Sequence, residues 1–179
     1  SRGLVGSEMC IRDRNHWFGW AGQRDSLWSQ SIRPILSSQE MANDEAAVAA
    51  LLRTDPFYRC VVKAVSSDPT SLPDRNLVVL AGKALAAYQA RLTSGPTPFD
   101  RFRDALAGGD PGAASYLSPI ALRGLKLFVG KGRCNVCHVG PAFTNGEFAD
   151  LGLPHFVHGG IPDQGRWGGI KQLRASPFN

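Results

Sequence analysis

Residues 122–154 read LRGLKLFVGKGRCNVCHVGPAFTNGEFADLGLP, and this stretch decides the fold. At its centre is CNVCH, in which two residues separate Cys134 from Cys137 and His138 follows directly. A CxxCH run is the attachment signature of c-type haem, because two thioether bonds hold the porphyrin and the adjacent histidine binds iron from one face. The spacing therefore predicts a covalent haem c on Cys134 and Cys137, with His138 as an iron ligand.

Three other uses of a CxxC pair fit the sequence less well. A zinc site needs a second ligand pair, but Cys10 and Cys60 lie far upstream. A thioredoxin-type dithiol follows a strand and begins a helix, whereas this pair follows a predicted helix and a Gly-rich turn. A structural disulfide is rare at this spacing. The sixth iron ligand stays open among four candidates: Met41, His155, His158 or a residue beyond Asn179.

Apolar residues upstream of the motif recur at the three- and four-residue spacing of amphipathic helices. The longest helix is predicted over residues 74–92. Asp25 is the predicted cap of a short helix that Pro34 stops, and Ser118 with Pro119 begins a helix that ends at Gly130. Further helices are predicted over 43–53, from 56 onward and over 98–107. No strand pair is convincing, and residues after 130 lack periodicity. The predicted class is all-α, with cytochrome c-like haem domains that are loop-rich around the haem.

The helical spacing also predicts which side chains face inward. Cys60 lies on such a face, and we expect it to be a small buried hydrophobe. The predicted inward residues are Val48, Leu51 and Leu52 in the second helix; Phe57, Cys60, Val61 and Ala64 in the third; Leu77, Leu80, Ala81, Ala84, Leu85, Tyr88 and Leu92 in the fourth; Phe99, Phe102 and Leu106 in the fifth; and Ile120, Leu122, Leu125 and Phe128 in the sixth.

The composition is that of an ordinary globular protein: 179 residues, 43% hydrophobic and 20% charged. No apolar run approaches the roughly 20 residues that a membrane span requires. The net charge of +5 comes from singly scattered Lys and Arg residues, which argues against nucleic-acid binding. Residues 1–14, SRGLVGSEMCIRDR, show no periodicity and no secretion signal, and we predict a non-native or disordered tail.

Three stretches of the chain, taken in order, resemble one family of bacterial enzymes. Residues 19–41, GWAGQRDSLWSQSIRPILSSQEM, are similar to the family segment FWDGRAxSLxxQaxxPixxxxEM, and residues 81–102, AGKALAAYQARLTSGPTPFDRF, to its AfxRTLxxxxSPFDRy helix pair. The 122–154 stretch resembles its RGLxLF helix followed by GxCxxCHxGP and FxxLG. The family is that of the di-haem cytochrome c peroxidases and their MauG relatives, and the resemblance covers residues 16–179.

The resemblance implies roles for three residues. Trp20 matches the tryptophan that conducts electrons between two haems, Gln30 the glutamine that lines the peroxide pocket, and Glu40 the acid–base residue. A carboxyl group suits the proton transfer that peroxide cleavage needs. Without the resemblance, the residues alone favour a simpler interpretation. Trp20 would be a core aromatic, Gln30 a solvated helix position and Glu40 a surface acid beside a helix. The family's WDGR reads Trp20-Ala21-Gly22-Gln23 here, so its Asp and Arg are missing.

The family has a second CxxCH upstream of the tryptophan segment and a distal Met further downstream, and this sequence has neither. The resemblance therefore implies an internal fragment. Residues 15–72 would be the C-terminal part of the first, peroxidatic haem domain, without its CxxCH. Residues 73–179 would be a truncated second, electron-transfer cytochrome c domain, with the loop SSDPTSLP at 66–73 as the boundary. A second haem c is expected in the full-length protein.

The resemblance also implies partners and a location. Hydrogen peroxide would be the substrate, and a small donor protein, a cytochrome c or a cupredoxin, would supply electrons to the haem on Cys134 and Cys137. Haem attachment on the outer side of the cytoplasmic membrane implies the periplasm. The family commonly dimerises and binds calcium between its domains, so a homodimer and calcium are further expectations. Two alternatives stay open: a monohaem electron-transfer cytochrome without peroxidase activity, and a MauG-like enzyme that oxidises a protein. The ligand of the second haem, Met or Tyr, would separate a peroxidase from a MauG-like enzyme.

Overall fold

The computed structural model describes residues 17–66, 68–92, 95–140, 143–149, 156–157, 161–162 and 164–179. These residues are mainly helical, and the all-α prediction is confirmed. The predicted tail at 1–14, Cys10, His155 and His158 lie outside the described residues. The helices are α1 (Leu27–Leu36), α2 (Glu45–Thr54), α3 (Pro56–Val65), α4 (Asp74–Arg91), α5 (Pro98–Ala107), α6 (Pro119–Val129) and α7 (Gly165–Ala175). Two short antiparallel strands, β1 (Phe156–Val157) and β2 (Ile161–Pro162), pair with each other.

The chain forms two compact units. One contains residues 16–91 and 150–179, and the other is built on residues 92–149. The units divide near residue 91, whereas the sequence predicts a domain boundary near 72. The difference arises because α4 packs against α1 and α2, which precede it in the chain. The haem-domain boundaries of the whole protein stay a prediction.

The core of the first unit forms where α4 crosses α1 and α2. One buried cluster joins Ala49, Leu52, Val62 and Leu77. A second cluster joins Ile32, Val78 and Phe178, which brings the end of the chain onto α1 and α4. Burial of these apolar side chains stabilises the packed helices, of which α1 and α2 have only ten residues each and would be marginal alone.

Gly82 allows the close approach of α4 to α1. A Cβ at this position would lie 2.7 Å from Cγ1 of the buried Ile32 and 2.9 Å from the carbonyl oxygen of Trp28. The carbonyl belongs to the helix backbone and cannot move away alone. The two helices therefore depend on a residue without a side chain at this position.

We expect Gly82→Ala to lower the free energy of unfolding by about 2 kcal/mol, because the overlap outweighs the helix propensity that alanine adds. Chemical denaturation of the whole protein measures this value. Lys83→Ala changes an exposed neighbour on the same helix and serves as the control. A Gly82→Ala protein as stable as the control protein would contradict the packing described here.

The start and the end of α1 both differ from the prediction. Ser26, not Asp25, is the N-cap, because its hydroxyl accepts a hydrogen bond from the Ser29 N–H. The helix also continues past Pro34 to Leu36. A proline in the last turn removes one helical hydrogen bond, and the helix tolerates this loss because the turn is already ending.

Several predicted inward faces are wrong. Cys60 is exposed, as are Val61 and Ala64, and Phe57 keeps 70% of its surface exposed. The reason is that α3 contacts the core through Val62, which lies on a different side of the helix. Other residues predicted to face inward are also exposed: Leu51, Ala84, Leu85, Tyr88, Leu92, Leu106 and Ile120.

Helix α7 was not predicted from the sequence. It carries three glycines, Gly165, Gly168 and Gly169, and its N-cap Gln164 makes no side-chain capping bond. Glycine lowers helix propensity, so the local signal is weak. Contacts within the first unit stabilise this helix and are described below.

The second unit begins with a well-capped helix. Thr97 and Asp100 form a reciprocal capping box at the start of α5, and Asp100 is buried there. The helix α6 begins at Pro119 with Ser118 as its N-cap and ends at Gly130, as predicted. Among the residues that the structure describes, no helix has the length and apolar character needed to cross a membrane.

Candidate functional site

The CNVCH motif follows a tight reversal at the end of α6. The Gly132 N–H donates to the Leu127 carbonyl over 2.8 Å, and Arg133 adopts a left-handed conformation with φ 51°. A Cβ at Gly132 would lie 2.8 Å from the Leu127 oxygen, so glycine is needed for this reversal. The chain therefore enters the motif in a fixed direction immediately after the helix.

The motif itself is one turn of 3₁₀-helix, Cys134–Val136. The N–H groups of Cys137 and His138 both donate to the Cys134 carbonyl, over 3.3 and 2.9 Å. Cys134 and Cys137 are exposed free thiols. The turn thus places Cys134, Cys137 and His138 on one short, hydrogen-bonded stretch of backbone.

The imidazole of His138 is oriented by the backbone. Its Nδ1 lies 3.0 Å from the carbonyl oxygen of Phe143. A carbonyl only accepts hydrogen bonds, so we assign the proton to Nδ1 and the lone pair to Nε2. In metal-ligating histidines the other ring nitrogen usually donates such a hydrogen bond, which orients the ring.

An apolar cavity of about 420 Å³ opens beside this imidazole. Three phenylalanine rings form an aromatic cluster in its wall: Phe143 lies 5.6 Å from Phe99 and 6.2 Å from Phe128, between centroids. The His138 ring also packs against Phe128, at 6.2 Å. The lining residues are Phe99, Gly124, Leu125, Phe128, His138 and Phe143. An apolar wall with one imidazole fits a flat porphyrin that has an iron at its centre.

The described residues do not provide a set of ligands for the alternative zinc site. Within these parts of the chain, no group of three or more His, Cys, Asp or Glu side chains is arranged to hold a metal ion.

The identity of the sixth iron ligand stays a prediction. Met41 is 66% exposed and belongs to the other compact unit, and His155 and His158 lie outside the described residues.

Trp20 lies at the tip of a closed turn in the first unit. The turn is closed by a pair of backbone hydrogen bonds between Phe18 and Arg24, of 2.8 and 3.2 Å. Gly19 and Gly22 flank the tip with φ 82° and 68°, values that favour glycine. Trp20 itself is 64% exposed. The indole therefore projects from a turn whose backbone is closed by hydrogen bonds.

Gln30 points from α1 toward the same turn. A Cβ at Gly19 would lie 3.6 Å from Oε1 of Gln30, so the amide oxygen lies beside the residue that precedes Trp20. This oxygen is buried and has no hydrogen-bond partner among the described residues. A buried acceptor without a donor is costly, and such atoms often mark a place for a bound molecule. The structure thus brings Gln30 close to the turn that carries Trp20.

Glu40 lies at the other end of α1. Residues 37–43 fold back over the helix end, where the N–H groups of Met41 and Asn43 donate to the carbonyls of Pro34 and Ile35. This fold places the Glu40 carboxylate 3.1 Å from Nη1 of Arg33, and both side chains are partly exposed. Arg33 was not singled out from the sequence.

Arg33 also has a positively charged neighbour, Arg24. With Arg24 it lines a cavity of about 380 Å³ between α1 and residues 172–178. Burial and, to a smaller extent, the positive charge of Arg33 lower the pKa of the Arg24 guanidinium, while Asp25 opposes the shift. None of the three residues with implied catalytic roles lines this cavity.

The chain matches the sequence model of one family, described as di-haem cytochrome c peroxidase, over residues 8–107. It is 35% identical over 136 residues to the methylamine utilization protein MauG of Methylorubrum extorquens and 36% identical over 144 residues to that of Paracoccus denitrificans. It is also 34% identical over 137 residues to the cytochrome-c peroxidase IdrP1 of Denitromonas iodatirespirans.

These alignments cover about three quarters of the chain: 76%, 75% and 75%, respectively. They cover much less of the relatives, namely 35%, 35% and 33% of their lengths. The chain therefore spans about a third of each of these curated relatives. The match extends over the segments that carry Trp20, Gln30 and Glu40, whose individual roles stay predictions.

Proposed function

Since the chain belongs to the di-haem cytochrome c peroxidase family, we propose that the whole protein reduces hydrogen peroxide to water with electrons from a small redox protein. Electrons enter at the haem on Cys134 and Cys137. The observation that carries this proposal is the His138 imidazole, oriented by the Phe143 carbonyl beside an apolar cavity. Haem c, the cofactor of this family, supplies one-electron redox chemistry when it is bound.

The CNVCH unit would hold the cofactor through three groups. The thiols of Cys134 and Cys137 form the thioether bonds, and Nε2 of His138 ligates the iron. Phe99, Phe128 and Phe143, which line the apolar cavity beside His138, would contact the porphyrin and limit the access of water. The low polarity of this wall and the hydrogen bond from Nδ1 would tune the reduction potential of the haem.

Glu40 and Gln30 would act on the peroxide. The overall reduction of one hydrogen peroxide to two waters takes two electrons and two protons, and it begins with cleavage of the O–O bond. The carboxylate of Glu40 accepts a proton from one peroxide oxygen and returns it to the departing one. The buried Oε1 of Gln30 accepts a hydrogen bond from the peroxide O–H and orients the molecule.

Trp20 would conduct electrons between the entry haem and a second haem c, carried by a part of the protein outside this sequence. An exposed indole at the tip of a turn can lie against another domain without disturbing its own core. We further propose a periplasmic location and a cytochrome c or cupredoxin donor. A homodimer and an interdomain calcium are proposed from the family alone.

A second candidate is a MauG-like enzyme, which would take electrons from a protein substrate rather than from a carrier. The relatives named MauG favour it, because they are 35% and 36% identical to this chain, whereas the named peroxidase is 34% identical. A monohaem carrier is the third candidate.

The test of the proposed function uses the whole haem-loaded protein. The account predicts two covalent haems per polypeptide and peroxide-dependent oxidation of a reduced cytochrome c or cupredoxin. One haem without turnover would establish the monohaem carrier instead. Two haems that leave the reduced carrier untouched but oxidise a protein substrate in the presence of peroxide would favour the MauG-like enzyme.

A further inference from the structure

Helix α7 holds the turn that carries Trp20. The Nη1 group of Arg166 donates to the carbonyl oxygens of Ala21 and Gly22, over 3.1 and 2.8 Å. These carbonyls belong to the two residues directly after Trp20. The contact joins parts of the chain that are about 145 residues apart, within one compact unit.

The same guanidinium also contacts the residues before the tip. Its central carbon lies 4.4 Å from the centroid of the Trp17 ring, in a cation–π arrangement. One planar side chain thus contacts the turn on both sides of Trp20. The geometry suits arginine, because a lysine ammonium lacks both the fork and the flat face.

Gly169 brings the helix close enough for this contact. It lies one turn after Arg166 and is buried. A Cβ at Gly169 would overlap the Ala21 carbonyl and would approach the Ala21 Cβ to 3.0 Å. Any side chain here would push α7 away from the turn, so the glycine that weakens the helix is required by its packing.

We propose that Arg166, seated by Gly169, is a positioning residue for Trp20 and fixes the turn from which the indole projects. This inference rests on the proposed function, in which Trp20 conducts electrons. Trp20 is largely exposed, and its backbone belongs to the turn whose Ala21 and Gly22 carbonyls accept hydrogen bonds from Arg166. Small displacements of a positioned group lower reaction rates strongly.

The test compares Arg166→Gln and Arg166→Lys with Arg174→Gln, an exposed arginine on the same helix. The first readout is hydrogen–deuterium exchange of the turn amides of Phe18, Gly22 and Arg24, which are hydrogen-bonded within the turn. In the whole haem-loaded protein we expect exchange at least about tenfold faster in Arg166→Gln, an intermediate value in Arg166→Lys, and no change in Arg174→Gln.

The second readout is electron transfer from the reduced entry haem to peroxide. We expect a roughly tenfold slower rate in Arg166→Gln with an unchanged KM for peroxide, and partial recovery in Arg166→Lys. If Arg166→Gln does not retain haem, the Arg166→Lys protein serves for both readouts.

The outcomes separate this inference from the proposed function. Unchanged amide exchange in the Arg166 variants would overturn the inference, whatever the turnover. Faster exchange with unchanged electron transfer would also overturn it, because Trp20 would then not need a fixed turn. If the wild-type protein shows no peroxide turnover, the proposed function fails, and the exchange measurement alone decides whether Arg166 holds the turn.

Discussion

Replacing both Cys134 and Cys137 with serine will abolish covalent haem attachment at this site. A hydroxyl cannot form the thioether bond, and His138 alone is an exposed ligand on a short turn. In the whole protein, the number of covalently bound haems per polypeptide should fall from two to one. Haem absorbance after denaturation and organic extraction measures this content, because extraction removes only haem that is not covalently bound.

The matched control is Cys60→Ser. Cys60 is also an exposed free thiol, but it lies on α3, away from the CNVCH motif in sequence and in the other compact unit. We expect the full haem content in this variant. An unchanged haem content after loss of Cys134 and Cys137 would show that the motif does not hold the cofactor.

Replacing Glu40 with glutamine will abolish most peroxide turnover while leaving the haem spectra intact. Glutamine keeps the shape of the side chain but can no longer accept a proton. General acid–base groups typically contribute about 10²- to 10⁴-fold to a rate, and we expect a loss of kcat in that range. Steady-state turnover with a reduced donor measures this loss.

A variant that removes a comparable ion pair controls for stability. Glu45 pairs with Arg75 at 3.3 Å, much as Glu40 pairs with Arg33 at 3.1 Å, and both acids are partly exposed. Exposed ion pairs contribute at most about 1 kcal/mol, so Glu45→Gln should retain normal turnover. Near-normal turnover in Glu40→Gln would remove Glu40 from the mechanism.

The haem motif and the start of α6 were predictable because their signals are local. The five residues CNVCH predict haem attachment by themselves. Ser118 and Pro119 mark the start of α6 by capping and by a fixed φ, and Gly130 ends that helix where predicted. Such signals need no knowledge of the rest of the chain.

The inward faces were less predictable, because helical spacing shows that a face is apolar but not what covers it. The face of α3 around Cys60 is apolar and yet exposed, while Val62 packs into the core. Ile120 of α6 is likewise 74% exposed, although it was predicted to face inward together with Leu122 and Leu125. Burial depends on neighbours from distant parts of the chain.

The contacts that orient the residues of the candidate site were not predictable from the sequence. Arg166 lies in a Gly-rich helix that has no periodicity, and its partners Ala21 and Gly22 are about 145 residues upstream. The hydrogen bond from His138 to the Phe143 carbonyl is equally invisible in the sequence, since any residue provides a carbonyl. Resemblance to a family identified Trp20, Gln30 and Glu40, but only the structure shows what orients them.

The central claim is that electrons from the haem on Cys134 and Cys137 reach peroxide. A single-turnover experiment on the whole protein tests it most directly: the entry haem is reduced by its donor, peroxide is added, and the haem absorbance is followed in time. We predict that this haem is reoxidised as peroxide disappears, and that Trp20→Phe slows the reoxidation. A haem that stays reduced while peroxide remains in solution would contradict the account.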